Sequence, residues 1–186
     1  QFIKQTKTDS LKTKDYPKEF LDLKMKVSFG QGALARVPWV ALRAPDMPVS
    51  NGYNPVYLYY KKHGILVLSY GISETHIPEK SWEPSIHETK TRIDEFIDNP
   101  ARYGDSYVHK YYEPRIEGEE VNFYRDNVKV SEELIFNELL EIVNFFKKCL
   151  DLEVKDESSS ISSGLFYLES QLEAVSYTHL TLPTNC

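Results

Sequence analysis

Four segments patterned as β-strands follow one another between positions 23 and 70, separated by turn signals. Leu23-Lys24-Met25-Lys26-Val27-Ser28-Phe29 alternates strictly, which turns Leu23, Met25, Val27 and Phe29 toward a core and the lysines toward water. Val37 to Leu42 reads as a second strand, with Pro38 near its start, where a missing N–H donor is tolerated. Ser50-Asn51-Gly52 signals a turn, and Val56 to Lys61 and Ile65 to Tyr70 form a hairpin around Lys62-His63-Gly64. Parallel neighbours need a long crossover, usually helical, and no helical pattern separates these segments. They predict a mostly antiparallel sheet.

Helical patterns come later. Ser85 is placed to cap a helix from about Ile86 to Asp98, with Ile93, Phe96 and Ile97 as its buried stripe and Asn99-Pro100 as its stop. Ser106 to Tyr112 is a further strand candidate. The strongest helix covers Glu132 to Leu150, with Ser131 at the N-cap and Glu132 and Glu133 in the first turn. Ile135, Leu139, Ile142, Val143, Phe146 and Leu150 share one face, and Lys147 and Lys148 suit its C-terminal end. The expected class is α+β: a mostly antiparallel sheet packed with helices, including a long C-terminal one.

Residues 1–150 read as one domain, 151–164 as an acidic, serine-rich linker, and 165–174 as the start of a following region. Phe2 and Ile3, in a polar, lysine-rich opening segment, read as the remnant of a cut helix, and Gln1 as a truncated start. Val175 to Thr184 resembles the translation of sequencing-adapter DNA, so residues 175–186 are read as non-native. That leaves Cys149 as the single native thiol, which agrees with a reducing compartment. No window approaches the roughly 18 apolar residues of a membrane span, and no signal peptide opens the chain. The expected location is the cytoplasm.

The net charge of −6 argues mildly against a nucleic-acid partner, but its distribution does not. Residues 1–62 hold 11 Lys/Arg against 5 Asp/Glu, and the remainder holds 11 against 23. A phosphate-facing surface needs a local cluster of cations, not a basic whole. The basic half also carries Gly30-Gln31-Gly32, a strand-to-strand tip, with Pro38-Trp39 close behind.

Motifs for catalysis are lacking. Gly30-Gln31-Gly32 is followed by no Gly-Lys-Ser/Thr and opens no helix, so it is no phosphate loop. No His-Glu-x-x-His or Gly-x-Ser-x-Gly occurs, and His63, His76, His87 and His109 are scattered singly as ordinary surface or core residues. A metal-nuclease reading pairs Asp46 with Glu88 and Lys90, but Glu88 falls in a predicted helix, and solvated charge explains these residues better. No catalytic residue and no metal ligand is therefore assigned. The 13 tyrosines are expected mostly in strands, packing one side with their hydroxyls wet.

Three pieces taken in order carry a resemblance: Ser28 to Trp39, Ser50 to Tyr60, and Val67 to Ser73. Together they resemble the N-terminal DNA-binding domain of the McrB family, from about Thr13 to Tyr107 and closely through residues 13–82. The resemblance implies recognition of double-stranded DNA by flipping a modified, 5-methyl-type cytosine into a pocket. It implies Trp39 as the stacking face, Leu58 as an apolar wall, Tyr103 as a further pocket tyrosine, and Gln31 between Gly30 and Gly32 as the wedge. Two positions depart from the family pattern. The wedge is aromatic in the best-known member, and a second pocket tyrosine aligns with Asn54, while Tyr53 lies one position earlier. Either is a candidate for that wall. Lys24, Lys26 and Arg36 flank the tip and are the candidate phosphate contacts. In the family this domain precedes a GTP-hydrolysing AAA+ module that uses Mg and works with a McrC nuclease subunit. No cofactor is expected for residues 1–186 themselves. The alternative is a protein-interaction or regulatory domain of an AAA+ defence protein without DNA binding.

Overall fold

The structure is a computed structural model that describes residues 1–47, 52–75 and 81–154. The Ser50-Asn51-Gly52 turn lies partly outside those residues. His76, most of the linker and residues 165–186 lie wholly outside them. Residues 1–152 form one compact unit.

Among the described residues eight strands make a single antiparallel meander whose spatial order equals their order in sequence. They are β1 (Glu19–Phe20), β2 (Leu23–Gln31), β3 (Ala33–Arg43), β4 (Tyr53–Tyr60), β5 (Ile65–Ile72), β6 (Tyr107–Glu117), β7 (Glu120–Arg125) and β8 (Val128–Val130). Among the described residues four helices accompany them: α1 (Phe2–Gln5), α2 (Pro84–Thr89), α3 (Ile93–Phe96) and the 18-residue α4 (Glu132–Cys149). The α+β class and the long C-terminal helix are as expected. Ser131 caps α4 by accepting a hydrogen bond from the Leu134 amide at 3.1 Å. No helix among the described residues is long and apolar enough to cross a membrane.

Strand alternation sorts the core into two clusters. On one face Tyr53, Tyr59, Leu66, Leu68, Tyr70 and Tyr112 pack against Leu139, Ile142, Val143 and Phe146 of α4, with Trp82 among them. On the other, Val37, Ala41, Val56, Leu58, Tyr60 and Val67 pack against Ile93 and Ile97 at α3. The long helix covers its face; one short turn of helix covers the other only in part. The uncovered remainder is where a site can form.

The expected helix over 86–98 is instead two short ones. Glu83, not Ser85, is the N-cap, with Pro84 and Ser85 both inside the first helical turn, and Lys90 turns extended with φ −108° and ψ 143°. The break frees Thr91 and Arg92 to pair with β6: the Val108 amide donates to the Thr91 carbonyl at 2.9 Å, and Arg92 bridges Tyr107.

The β5–β6 register shifts between Leu68 and Ser69, whose partners are Lys110 and Val108, so His109 is the extra residue of a bulge. Its Nδ1 accepts from the Tyr70 hydroxyl at 3.2 Å, and its Nε2 donates to the Glu138 carbonyl at 3.0 Å. Glu141 lies 3.4 Å from the same nitrogen. Burial lowers the His109 pKa to about 4, so at neutral pH the ring is neutral and this contact is not an ion pair. The unfolded chain protonates near 6.5. As pH falls it therefore takes up the proton before the folded chain does. Stability is expected to decline between pH 6.5 and 4, and His109→Gln to flatten that part of a urea-melt pH profile.

Candidate nucleic-acid interface

The β2–β3 hairpin ends in Gly30-Gln31-Gly32, and both glycines are needed. Gly30 has φ 124°, and a Cβ there would lie 1.9 Å from the Ala33 carbonyl oxygen, so no other residue fits. Gly32 has φ 70° and open space around it, as a tight reversal requires. The register shifts between Ser28 and Gly30, where Phe29 alone stands opposite four residues of β3, Ala35 to Pro38; Phe29 is buried against Phe2 and Tyr16 with ring centroids 5.3 Å and 5.9 Å apart. Gln31, Gly32, Ala33 and Leu34 are left exposed at the tip.

Behind this tip, on the incompletely covered face of the sheet, is a hollow of about 760 Å³. Trp39, Asn54, Leu58 and Tyr103 all line it. So do Gly30, Gln31, Lys26 and Arg36. The register explains the gathering: Trp39 and Leu58 are directly opposed on β3 and β4, and Asn54 opposes Gly71 on β4 and β5. Trp39 is half-buried and is not sealed into the core. Leu58 is 1% exposed and forms part of the floor. Gly71 keeps that floor low, since a Cβ would meet Val56 Cγ1 at 2.5 Å and the Asn54 carbonyl oxygen at 2.8 Å. Asn54 is 4% exposed.

Tyr53 is a correction. Consecutive strand residues face opposite sides, so with Asn54 in the hollow, Tyr53 belongs to the other cluster. It is 2% exposed, and its ring packs edge-on against Trp82 and Phe146 at 4.9 Å and 5.7 Å. Lys24 also does not line the hollow. It lies six residues before Gly30, about 20 Å along an extended strand, and forms an ion pair with Glu19.

Tyr103 reaches the hollow from the loop between α3 and β6. That loop holds Asn99, Ala101 and Tyr103 at φ 50°, 65° and 65°, a region side-chain-bearing residues seldom occupy. The Tyr60 hydroxyl donates to the Arg102 carbonyl at 3.0 Å, and the Arg102 guanidinium lies 4.6 Å from the Tyr103 ring centroid. Glu74, just after β5, accepts from Arg102 Nε at 2.9 Å and from the Tyr103 amide. Burial raises the Tyr103 phenol above its ordinary value. The Arg102 charge and a hydrogen bond with Trp39 oppose that rise, and Glu74 adds to it.

Glu74 and Gly71 were not among the residues expected from sequence. Glu74 is 28 residues from Arg102, beyond any spacing rule, and a glycine in a strand signals a close approach without saying to what. Of the histidines, Nε2 of His63 meets the Asp98 carbonyl at 3.0 Å and Nδ1 of His87 meets the Tyr107 hydroxyl at 3.0 Å. Among the described residues no group of three or more His, Cys, Asp or Glu is arranged to hold a metal ion. Asp46 lies in the loop after β3 and Glu88 on α2, both exposed.

The described geometry is thus a half-open hollow with an indole on one side, a phenol on another, a buried carboxamide, and a glycine-hinged tip with two cations nearby. Comparison with known proteins gives two findings. The sequence profile described as "MrcB-like, N-terminal domain" matches residues 1–151. The chain is also 33% identical over 196 aligned positions to the "Type IV methyl-directed restriction enzyme EcoKMcrB subunit" of Escherichia coli (strain K12). That alignment takes in 100% of this chain and 41% of the relative, so the chain spans about two-fifths of its length.

Proposed function

Because the chain belongs to the family of MrcB-like N-terminal domains, we propose that it is the DNA-recognition domain of a methyl-directed restriction system, and that it reads modified cytosine by turning the base out of the duplex. The matched domain is not the catalytic part of such a protein. The observation that carries the reading is the hollow behind the Gly30–Gly32 tip, with Trp39 and Tyr103 on its walls.

Extruding a base costs a few kcal/mol of stacking and pairing. A base stacked on an aromatic face recovers about 1–3 kcal/mol, which is the role of Trp39, with Tyr103 as the second aromatic wall and Leu58 as the apolar floor. Asn54 offers a carboxamide to the polar edge of the base. Gln31 enters the gap left in the duplex, and Gly30 and Gly32 let the backbone approach closely. An amide side chain stacks less well than an aromatic one but can hydrogen-bond the orphaned guanine. Lys26 and Arg36 meet phosphates. Burying one methyl is worth about 0.8 kcal/mol, roughly fourfold in affinity, so the methyl alone does not make a strict reader and the polar edge contacts share the work. In the whole protein this domain would direct a GTP- and Mg-dependent AAA+ motor and a McrC-like nuclease in the cytoplasm.

The test is binding to matched duplexes carrying unmodified, 5-methyl-, 5-hydroxymethyl- or N4-methylcytosine, each at several salt concentrations. A modified duplex is expected to bind best, with affinity falling as salt rises. Lys26→Ala and Arg36→Ala are each expected to weaken all duplexes alike and to reduce the slope of log K against log salt by about 0.9. Absence of binding at low salt would overturn this reading in favour of a protein-interaction domain.

A further inference from the structure

The outer wall of the hollow depends on a loop with three left-handed, non-glycine residues, Asn99, Ala101 and Tyr103. Such a backbone persists only where its surroundings hold it. Tyr60 holds the Arg102 carbonyl from below. Glu74 does more. One carboxylate oxygen accepts from the Tyr103 amide and the other from Arg102 Nε, whose guanidinium in turn lies over the Tyr103 ring. One side chain thereby fixes both the backbone that carries the ring and the cation stacked on it. Glu74 also lies two residues beyond the end of β5, which supplies the glycine floor of the hollow, so it ties wall to floor.

We infer that Glu74 is the positioning residue that sets the Tyr103 ring at the spacing from Trp39 that one nucleobase needs. This rests on the base-flipping reading above. The same carboxylate occupies Arg102, whose side chain is 49% exposed at the mouth of a surface meant for phosphates. Removing Glu74 therefore has two opposite effects: the wall loosens and a cation is released. Specific recognition falls while unspecific attraction to DNA holds or rises. A merely structural residue weakens both together.

Two measurements on the full chain test this. The first is amide hydrogen exchange at Tyr103, which needs no DNA. In Glu74→Ala it is expected to accelerate at least about tenfold while the β4–β5 amides are unchanged. The second is the affinity ratio between matched 5-methylcytosine and unmodified duplexes. In Glu74→Ala it is expected to fall about tenfold, with binding to the unmodified duplex equal or up to about threefold tighter. Glu74→Gln retains an acceptor oxygen for the Tyr103 amide and is expected to recover most of the ratio. Unchanged exchange at Tyr103, or an equal loss on both duplexes, overturns the inference while leaving the reading of the hollow intact. Accelerated exchange with no preference in the unsubstituted protein would overturn the base-flipping reading, and the positioning role with it.

Discussion

Trp39→Ala is expected to bring the affinities for modified and unmodified duplexes together, a loss of about 5- to 140-fold in preference. The magnitude follows from the roughly 1–3 kcal/mol that a base gains on an aromatic face, at 1.4 kcal/mol per tenfold. Binding to unmodified duplex should change less than about twofold, because Lys26 and Arg36 are untouched. Trp39→Phe keeps a stacking face and should keep most of the preference. Fluorescence anisotropy with competing matched duplexes checks both variants. The indole also packs against the Leu58 cluster, so a thermal melt belongs beside the binding curve. Preference retained by a folded Trp39→Ala variant would mean that the base sits elsewhere.

The second large effect concerns stability. Glu138 on α4 is 4% exposed and receives a two-pronged ion pair from Arg125, with N–O distances of 2.8 Å and 2.7 Å. The Tyr112 hydroxyl donates to the same carboxylate at 2.6 Å, and Lys110 stands 3.8 Å away. Burial alone would raise the Glu138 carboxyl; the hydrogen bonds from Arg125 and Tyr112 hold it below the ordinary value. Burial and the nearby carboxylate push the Tyr57 phenol up. Arg125→Met leaves a buried carboxylate with too few partners and is expected to cost about 3–5 kcal/mol. At roughly 2–4 °C per kcal/mol, the melting temperature should drop by about 10 °C. Glu138→Gln added to Arg125→Met should recover part of the loss, since no charge is then stranded. In the unsubstituted protein the contribution of Glu138 is present above the unfolded carboxyl value of about 4.3 and disappears as pH falls below it. A drop of less than about 1 kcal/mol in Arg125→Met would show that the pair adds little.

Much of the fold was legible because β2 alternates, β4 and β5 are short, largely apolar runs buried on both faces, and the breaks between the strands are marked by turn residues. The α4 boundaries were legible for the same kind of reason, a capping serine and a one-sided apolar stripe. β7 and β8 were not. Val121 to Arg125 are all half-buried, so both faces of the strand are similarly wet and the two-residue period carries little contrast. Their hairpin turns on Asp126 and Asn127, both left-handed with φ 51° and 63°, a signal written in conformation more than in hydropathy. The helix expected over 86–98 failed because the Val108 amide of β6 donates to the Thr91 carbonyl and Arg92 bridges Tyr107, a tertiary demand that local propensity does not contain. In the hollow, Trp39, Leu58, Asn54 and Tyr103 were joined in one pocket by the family resemblance alone; the residues themselves did not show them as neighbours, and pairing across β3, β4 and β5 supplies the physical reason for the first three. Tyr53 and Asn54 were left open by sequence, and strand parity separates them. Glu74 was invisible, since its partners meet it only after the loop between α3 and β6 has closed.

A meander in which each strand pairs with the one synthesised just before it has a consequence for biogenesis. Contacts between sequence neighbours form early and quickly, so the sheet can assemble as the nascent chain leaves the ribosome. α4 is the last element of the domain to emerge, and the tyrosine-rich side of the sheet waits bare for it. A stop codon ahead of residue 132 would release a well-paired but sticky ribbon, a natural client for chaperones and proteases.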